Sequence, residues 1–317
     1  MFMLPSSRML LATALIGCGT HVTTGTTGTG AAGTTGSTAT SSSGTTAQMA
    51  SSSTGFPATT STGAGGCSGA ASLVYVVSDI QDTFGNLVYT YEPVSGTFTP
   101  VTSLDCSANG QLNSMAVSRS LVGWFDFTEA TGEVLYTLDL VNKGACNPAV
   151  TLPSGFGQVT MAFVADSPGA DSETLYVSGS TGSLGKIDPK SNAFVPIASL
   201  SGDANVNGLG PWFSGTSDAQ VFAYFPTMTT GRLATIALPS AQVSADTPLM
   251  GVDPTTVAAF VRWGGDDYLF TTLVAGGDSG VAHYVPTTSV LDPALVPDSG
   301  FAAVGAAVTT CAPLTHP

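Results

Sequence analysis

A short turn motif recurs about every 48 residues, and this internal repeat limits the possible folds more than any other feature. Its two clear copies are Tyr91-Glu92-Pro93-Val94-Ser95-Gly96 and Ile187-Asp188-Pro189-Lys190-Ser191-Asn192. Degraded copies begin at Leu138, Ile236 and Tyr284. The second residue of each copy is a marker, and the five markers are Glu92, Asp139, Asp188, Ala237 and Val285, with steps of 47, 49, 49 and 48. Each repeat has the length of a propeller blade, so the sequence predicts an all-β, five-bladed β-propeller.

Each repeat contains four short segments rich in Val, Phe, Tyr and Thr, separated by Gly, Ser, Asn and Asp. The predicted innermost strands cover residues 113–118, 159–164, 207–210 and 256–262. In the four-strand repeat, the first predicted strand, 73–78, corresponds to the second strand of a blade. The last predicted strand, 304–309, corresponds to the innermost strand of a blade. We therefore expect the C-terminal strand to complete the first blade and close the ring. A six-bladed ring is the alternative, because Tyr224-Phe225-Pro226 resembles a partial extra copy.

The N-terminal region predicts export rather than a folded domain. Residues 1–18 contain one positive charge and a short apolar run that ends Leu15-Ile16-Gly17-Cys18, a pattern typical of a lipoprotein signal peptide with lipidation at Cys18. Residues 19–66 contain no charged side chain and consist mostly of Thr, Ser, Gly and Ala. Such a segment buries too little apolar surface to fold, so it predicts a disordered tether. The propeller domain is then residues 67–317.

The charge and the cysteines fit an exported protein. The formal net charge is −14, and every acidic residue lies after residue 66. An acidic surface repels phosphate backbones, so nucleic acid is excluded as a partner. Four cysteines remain after Cys18, which indicates two disulfides. Ring closure would bring Cys67 to Cys311. Cys106 and Cys146 would then pair by elimination, although they are expected toward opposite faces of the disc.

The sequence offers few residues for catalysis or metal binding. The histidines are His21, His283 and His316; none has a second histidine at metal-ligand spacing, and we expect a structural role for His283. The segment from Asp79 to Gly85 contains acidic residues and a glycine, as calcium-binding loops do, but it lacks the spacing of an EF-hand loop. Ca²⁺ is thus the one cofactor to consider. We prefer to interpret this segment, and also Asp266, Asp267 and Asp278, as solvated turns. We expect no metal site and no cofactor, and for Arg262 a salt bridge to a turn aspartate.

The best candidate site follows from topology, because propellers bind ligands where innermost strands enter the central channel. The polar residues predicted at these positions are Asn113, Gln158, Asn207 and Thr256. They could bind a small polar ligand, or they could hydrogen-bond to each other and to channel water, which we prefer. The channel mouth is expected to offer amides and hydroxyls rather than carboxylates or histidines.

The chain resembles a family of bacterial lipoproteins with β-propeller domains. The resemblance rests on the lipobox Leu15-Ile16-Gly17-Cys18, on the charge-free tether and on the Asp-Pro-x-Ser/Thr-Gly hairpins. The repeats are also distantly similar to NHL and YncE-type propellers. The resemblance implies a protein of the cell envelope, anchored by lipid to the outer membrane and facing the periplasm or the cell surface. We expect a non-enzymatic binding or scaffold module with a protein or glycan partner. The alternative is a propeller hydrolase, lactonase or lyase with a metal in its channel.

Overall fold

The computed structural model describes residues 67–79, 86–202, 210–227, 229–272 and 277–317. Residues 1–66, which include the predicted signal peptide, Cys18 and the predicted tether, lie outside these residues, as do Asp82 and Asn207. A 3-10 turn at Gly69–Ser72 precedes the first strand. The strands are β1 Val74–Ser78, β2 Leu87–Glu92, β3 Thr97–Ser103, β4 Gln111–Val117, β5 Val122–Glu129, β6 Gly132–Asp139, β7 Asn147–Thr151, β8 Val159–Ala165, β9 Glu173–Gly179, β10 Ser183–Asp188, β11 Ala193–Ser199, β12 Trp212–Gly215, β13 Val221–Phe225, β14 Gly231–Ala237, β15 Gln242–Leu249, β16 Val257–Trp263, β17 Asp266–Thr272, β18 Ser279–Val285, β19 Val290–Val296 and β20 Ala303–Val308.

These strands form five four-stranded antiparallel sheets, which confirms the five-bladed propeller. Blade 1 has the order β20-β1-β2-β3, and blades 2 to 5 are β4–β7, β8–β11, β12–β15 and β16–β19. The innermost strand β20 contacts both β4 and β16, so the ring closes through the C-terminal strand as predicted. The six-bladed alternative is wrong, because Tyr224 and Phe225 belong to the second strand of blade 4.

The repeat motif marks the same place in every blade. Each of the five markers is the last residue of a third strand, β2, β6, β10, β14 or β18. The residue four positions later always has a positive φ, at Gly96, Lys143, Asn192, Ala241 and Ser289. In the two aspartate copies the carboxylate closes the turn: Asp139 Oδ1 accepts hydrogen bonds from the amides of Val141 and Asn142, and Asp188 Oδ1 accepts one from the Lys190 amide, each at 2.9 Å. The motif therefore builds the hairpin between the third and fourth strands of each blade.

The outermost strands protect their free edges with proline. Each contains one proline, and these are Pro100, Pro148, Pro196, Pro248 and Pro293. The pairing of the third and fourth strands also shifts register once in every blade. A proline cannot donate to a neighbouring strand, and a bulge bends the edge away, so both features oppose edge-to-edge aggregation.

The innermost strands are buried on both faces and approach one another closely. A Cβ atom at Gly215 of β12 would overlap the Phe163 carbonyl of β8, and one at Gly305 of β20 would lie 2.9 Å from the Met115 nitrogen of β4. Glycine is thus required where neighbouring backbones meet at the axis. One prediction here is wrong: the innermost strand of blade 4 is Trp212–Gly215, not residues 207–210.

Both predicted disulfides are present. Cys67 and Cys311 are joined with a Cα–Cα distance of 5.7 Å, which ties the start of the domain to the end of the closing strand. Cys106 and Cys146 are joined at 4.7 Å. The expectation that Cys106 and Cys146 lie toward opposite faces is wrong. Each strand is twisted by roughly 20–25° relative to its neighbour, so the outermost strands no longer run along the axis and their ends do not lie at opposite faces. The segment at Cys106 runs parallel to the start of β7, as Ser201 does beside β15.

Candidate functional site

The candidate site is the upper face of the channel, defined as the end where the innermost strands begin. Asn113 lies at a register shift between β4 and β5, and such a bulge re-aims its side chain. Gln158 directly precedes β8, and its Nε2 donates to Asn113 Oδ1 at 2.8 Å. The structure therefore brings two of the four predicted residues together, and they hydrogen-bond to each other.

Of the other two predicted residues, the structure describes Thr256 alone, and Thr256 does not join this pair. Thr256 donates its hydroxyl to the Asp253 carbonyl at 2.8 Å, within its own turn. Asn207 lies outside the described residues.

Two carboxylates that sequence analysis missed complete the network. Asn113 Nδ2 lies 3.1 Å from Asp126 Oδ2, 2.7 Å from Thr128 Oγ1 and 3.5 Å from Glu133 Oε2. The Thr128 hydroxyl in turn donates to Glu133 at 2.8 Å. The expectation that this mouth lacks carboxylates is therefore wrong. Asp126 and Glu133 are on the second and third strands of blade 2, and only the strand pairing places them beside Asn113.

Burial changes the protonation of Asp126. The residue is fully buried, and its Oδ1 has no hydrogen-bond partner among the described residues. Burial, followed by the negative charge of Glu133, raises the pKa of Asp126 to about 8. Hydrogen bonds to Oδ2 from Asn113 and from the Val159 amide oppose this rise. Asp126 is thus held largely neutral at pH 7, and the bond to Val159 connects blade 2 to blade 3.

Little space remains around these side chains. A cavity of about 50 Å³ is lined by Asn113, Gln158, Val159, Thr160, Gly210 and Trp212. The indole nitrogen of Trp212 is buried and unpartnered within the described part of the chain. The cavity is large enough for ordered water, which could accept from this indole, but it is too small for a typical organic substrate.

A second cluster lies at the lower face, beneath blade 5. Asp266 Oδ2 is 2.8 Å from His283 Nε2 and 2.8 Å from His316 Nε2. Next to it, Asp267 pairs with Arg262 at 3.3 Å. Burial raises the pKa of Asp267 to about 7, while the Arg262 charge opposes the rise. The predicted salt bridge of Arg262 is confirmed, but the solvated-turn interpretation of Asp266 and Asp267 is wrong, because both residues are buried.

Sequence spacing could not reveal this cluster, since its two histidines are 33 positions apart. The calcium-loop segment from Asp79 falls mostly outside the described residues, and Asp278 is exposed. Among the described residues, no helix is long and apolar enough to span a membrane.

No protein-family model and no curated protein matches the chain. Among solved structures, it is similar to TolB from Acinetobacter baumannii, with 12% sequence identity and a TM-score of 0.42 over 75% of this chain and 54% of that chain. PQQ-bound aldose sugar dehydrogenase from Streptomyces coelicolor shows 14% identity and a TM-score of 0.39 over 76% and 86% of the two chains. A Bacteroides caccae protein of unknown function shows 9% identity and a TM-score of 0.42 over 74% and 98%.

This chain spans about half the length of TolB and of a similar Bacteroides thetaiotaomicron protein of unknown function. At these identities and TM-scores, the similarities carry no argument about function.

Proposed function

We propose that this chain is a lipid-anchored protein of the cell envelope whose propeller binds a protein or glycan partner without catalysing a reaction. The main supporting observation is that the described polar residues at the upper mouth of the channel bond to each other. Asn113 contacts Gln158, Thr128 and the two carboxylates, and the cavity beside Asn113 and Gln158 measures about 50 Å³. Polar groups that satisfy one another are poorly available to a substrate, so recognition falls to the outer faces.

The lower face of blade 3 offers an open, charged surface for such recognition. Three of the six basic residues that follow residue 66 line one open groove of about 670 Å³, namely Arg119, Lys186 and Lys190. Aspartates alternate with them, and both lysines are exposed. Mixed charge in an open groove suits the polar groups of a glycan or of an extended peptide.

Arg119 and Glu173 make this groove rigid. The Glu173 carboxylate accepts from the Arg119 amide at 2.8 Å and from the Thr310 hydroxyl at 2.6 Å, so it connects blades 2 and 3 to the closing strand. Burial raises the pKa of Glu173, and these bonds oppose the rise. The exposed lysines therefore project from a fixed frame, which limits the entropy lost on binding.

Charge reversal tests the binding function. The variant K186E/K190E is compared with K143E, which reverses an exposed lysine in the corresponding turn of blade 2. Wild type and K143E should co-sediment with purified peptidoglycan sacculi or should cross-link to a discrete protein in intact cells. K186E/K190E should do neither. Retention of all three proteins, or of none, contradicts the assigned groove.

Anchoring is tested separately by mass spectrometry of the mature N-terminus in the native host. A diacylglyceryl-modified Cys18 is expected, together with loss of membrane association in C18A. The two disulfides support this location, because disulfides persist in oxidising compartments. An unmodified N-terminus at any other residue contradicts lipid anchoring but leaves the binding assay valid.

One observation favours the competing enzymatic function. A carboxyl with a pKa of about 8, such as Asp126, could serve as a general acid at neutral pH. If the channel acts as a hydrolase, lactonase or lyase, the purified protein should turn over ester, lactone or uronate substrates, and D126N should abolish that activity. We expect no turnover with either protein.

A further inference from the structure

Three metal-binding side chains converge at the lower face, outside the channel and outside the groove. One ligand atom each from Asp266, His283 and His316 lies within 4.8 Å of the others. The whole sequence contains three histidines, and two of them contact the same carboxylate oxygen. A chance meeting of such rare residues is a weak explanation for this arrangement.

The fold holds the first two ligands on a rigid scaffold. Asp266 begins β17 directly after a two-residue turn, Gly264-Gly265, in which both φ angles are positive, as a tight hairpin requires. His283 on β18 pairs with Tyr268, two residues beyond Asp266, and the two rings stack at 4.7 Å. The aspartate and the imidazole therefore share one face of a sheet.

The third ligand comes from the segment that follows the closing strand. The Gly264 amide donates to the Pro313 carbonyl at 2.9 Å, which attaches this segment to the same hairpin. The His316 ring then lies edge-on to Trp263, with 5.5 Å between ring centroids. The Asp266 side chain is 9% exposed and that of His316 is 45% exposed, so one side of the cluster faces solvent.

The donor types select a class of ion. Imidazole nitrogens with one carboxylate suit zinc, copper or nickel, whereas calcium and magnesium prefer oxygen ligands alone. Zinc with three protein ligands commonly keeps a water molecule in the fourth position. Two ligands at about 2.0–2.1 Å from a tetrahedral ion are separated by roughly 3.3 Å. The two carboxylate–imidazole separations of 2.8 Å need to widen only slightly to reach this value, and all three ligand atoms already lie within 4.8 Å of one another.

We propose that Asp266, His283 and His316 bind one divalent transition-metal ion, of which zinc is the representative, with a remaining position open to water. The ion is bound through the two Nε2 atoms, and each bound imidazole carries its proton on Nδ1; a neutral imidazole that donates from Nε2 without metal reaches this form when its proton moves from Nε2 to Nδ1. Metal binding ties the segment around His316 to blade 5, beyond the Cys67–Cys311 disulfide. The proposal is independent of the binding function assigned to the groove of blade 3.

Equilibrium dialysis of the untagged full-length chain against Zn²⁺, followed by elemental analysis, tests the site. Wild type and H21A, which alters the remaining histidine of the sequence, should each retain one zinc per chain. The variants H316Q and H283Q keep an amide donor toward Asp266 but are poor ligands. Loss of a group outside the coordination shell already weakens metal affinity about 10–100-fold, so loss of a ligand should weaken it at least as much.

A melting experiment distinguishes this site from adventitious surface binding. Zinc at about a hundredfold excess over its dissociation constant should raise the Tm of wild type by roughly 5–10 °C and leave H316Q unchanged. Near-UV circular dichroism verifies that each variant is folded, and removal of residues 315–317 replaces H316Q if that variant fails to fold. Zinc retention by H283Q equal to wild type, or no retention by wild type, overturns the proposal. An equal Tm shift in H316Q also overturns it.

Discussion

Buried carboxylates occur at both faces of the propeller, and the two faces stabilise them differently. At the upper face, Asp126 and Glu133 contact the amide of Asn113 and the hydroxyl of Thr128. At the lower face, Asp266 and Asp267 contact two imidazoles and a guanidinium. The upper pair therefore contacts neutral donors, and the lower pair contacts nitrogen groups that can carry positive charge.

This difference separates a structural arrangement from one that can accept a cation. Burial favours the protonated form of Asp126, which would attract an ion less, and Asn113 donates to this carboxyl from the channel side. Asp266 instead presents one oxygen to two ring nitrogens at a partly exposed edge. We infer that the upper network rigidifies the joint between blades 2 and 3, while the lower cluster remains open to chemistry.

The largest expected effect is that of R262A at the lower face. Arg262 pairs with Asp267 at 3.3 Å, donates to the Gly265 carbonyl at 2.9 Å and stacks its guanidinium 3.9 Å above the Phe222 ring. Removing one partner of a buried ion pair typically costs about 3–5 kcal/mol. Urea unfolding at pH 7 should show a loss in this range, and R262A/D267N should recover part of it.

The pH dependence of R262A makes the test more specific. The folded pKa of Asp267 is already raised to about 7, and loss of the guanidinium raises it further. A group with a raised folded pKa loses stability as pH increases toward that pKa. The deficit of R262A should therefore be greater at pH 9 than at pH 6. A deficit that is the same at both pH values would mean that lost packing on Phe222, rather than charge, dominates.

The second effect is that of N113A at the upper face. The substitution removes one donor from buried Asp126 and one from Glu133, which keep their bonds from Val159 and Thr128, and it releases exposed Gln158. An unsatisfied buried group costs about 1–3 kcal/mol. A loss of about 2 kcal/mol in urea unfolding is expected. T256A is the matched control, because the Thr256 hydroxyl bonds only to Asp253 in its own exposed turn and the backbone bond to Thr272 is kept, so the loss should be well below 1 kcal/mol. Equal losses would contradict the network.

The contrast between the faces also shows what sequence could and could not predict. The repeat predicts the end of each third strand, even in the two copies without an acid at Ala237 and Val285. The turn that follows always needs a residue with positive φ four positions later, and this requirement is local. The edge prolines from Pro100 to Pro293 offer a second periodic signal that sequence analysis did not use. Local rules of this kind, summed over five blades, are sufficient to predict the propeller.

Side-chain clusters across strands were not predictable in the same way. Asn113 meets Glu133 only through a bulge and two strand pairings, and His316 reaches Asp266 from 50 residues away. Neither contact leaves a fixed spacing in the sequence. Spacing rules find ligands within one turn or loop, and both clusters here are assembled from separate elements.

The third effect is the pH dependence of D126N. The Asp126 carboxyl keeps its proton to about pH 8 in the folded state but loses it near pH 4 when unfolded. Between these values folding takes up a proton, so stability falls with rising pH by up to about 1.4 kcal/mol per pH unit. D126N, a neutral mimic of the protonated acid, should remove this component between pH 5 and 7.

Urea midpoints at several pH values measure the difference between wild type and D126N, which cancels the titration of Asp267. D139N serves as the control, because turn hydrogen bonds lower the pKa of exposed Asp139 and it titrates below this range. Parallel stability curves for wild type and D126N would show that Asp126 is ionised in the folded state, and the distinction between the two faces would then fail.

The smallest effect is expected for H316A in the presence of a chelator. His316 is partly exposed, and Asp266 keeps its bond to His283 when His316 is removed. A single partly exposed polar contact is worth about 0.5–1 kcal/mol, so urea unfolding without metal should lose no more than this. H283A should cost more, because His283 also stacks on Tyr268.

If the free energy of unfolding of H316A instead falls by several kcal/mol without metal, the lower cluster is a structural network like the upper one. A small loss, with a large gap between wild type and H316A on adding zinc, would mean that the two faces use buried carboxylates for different purposes.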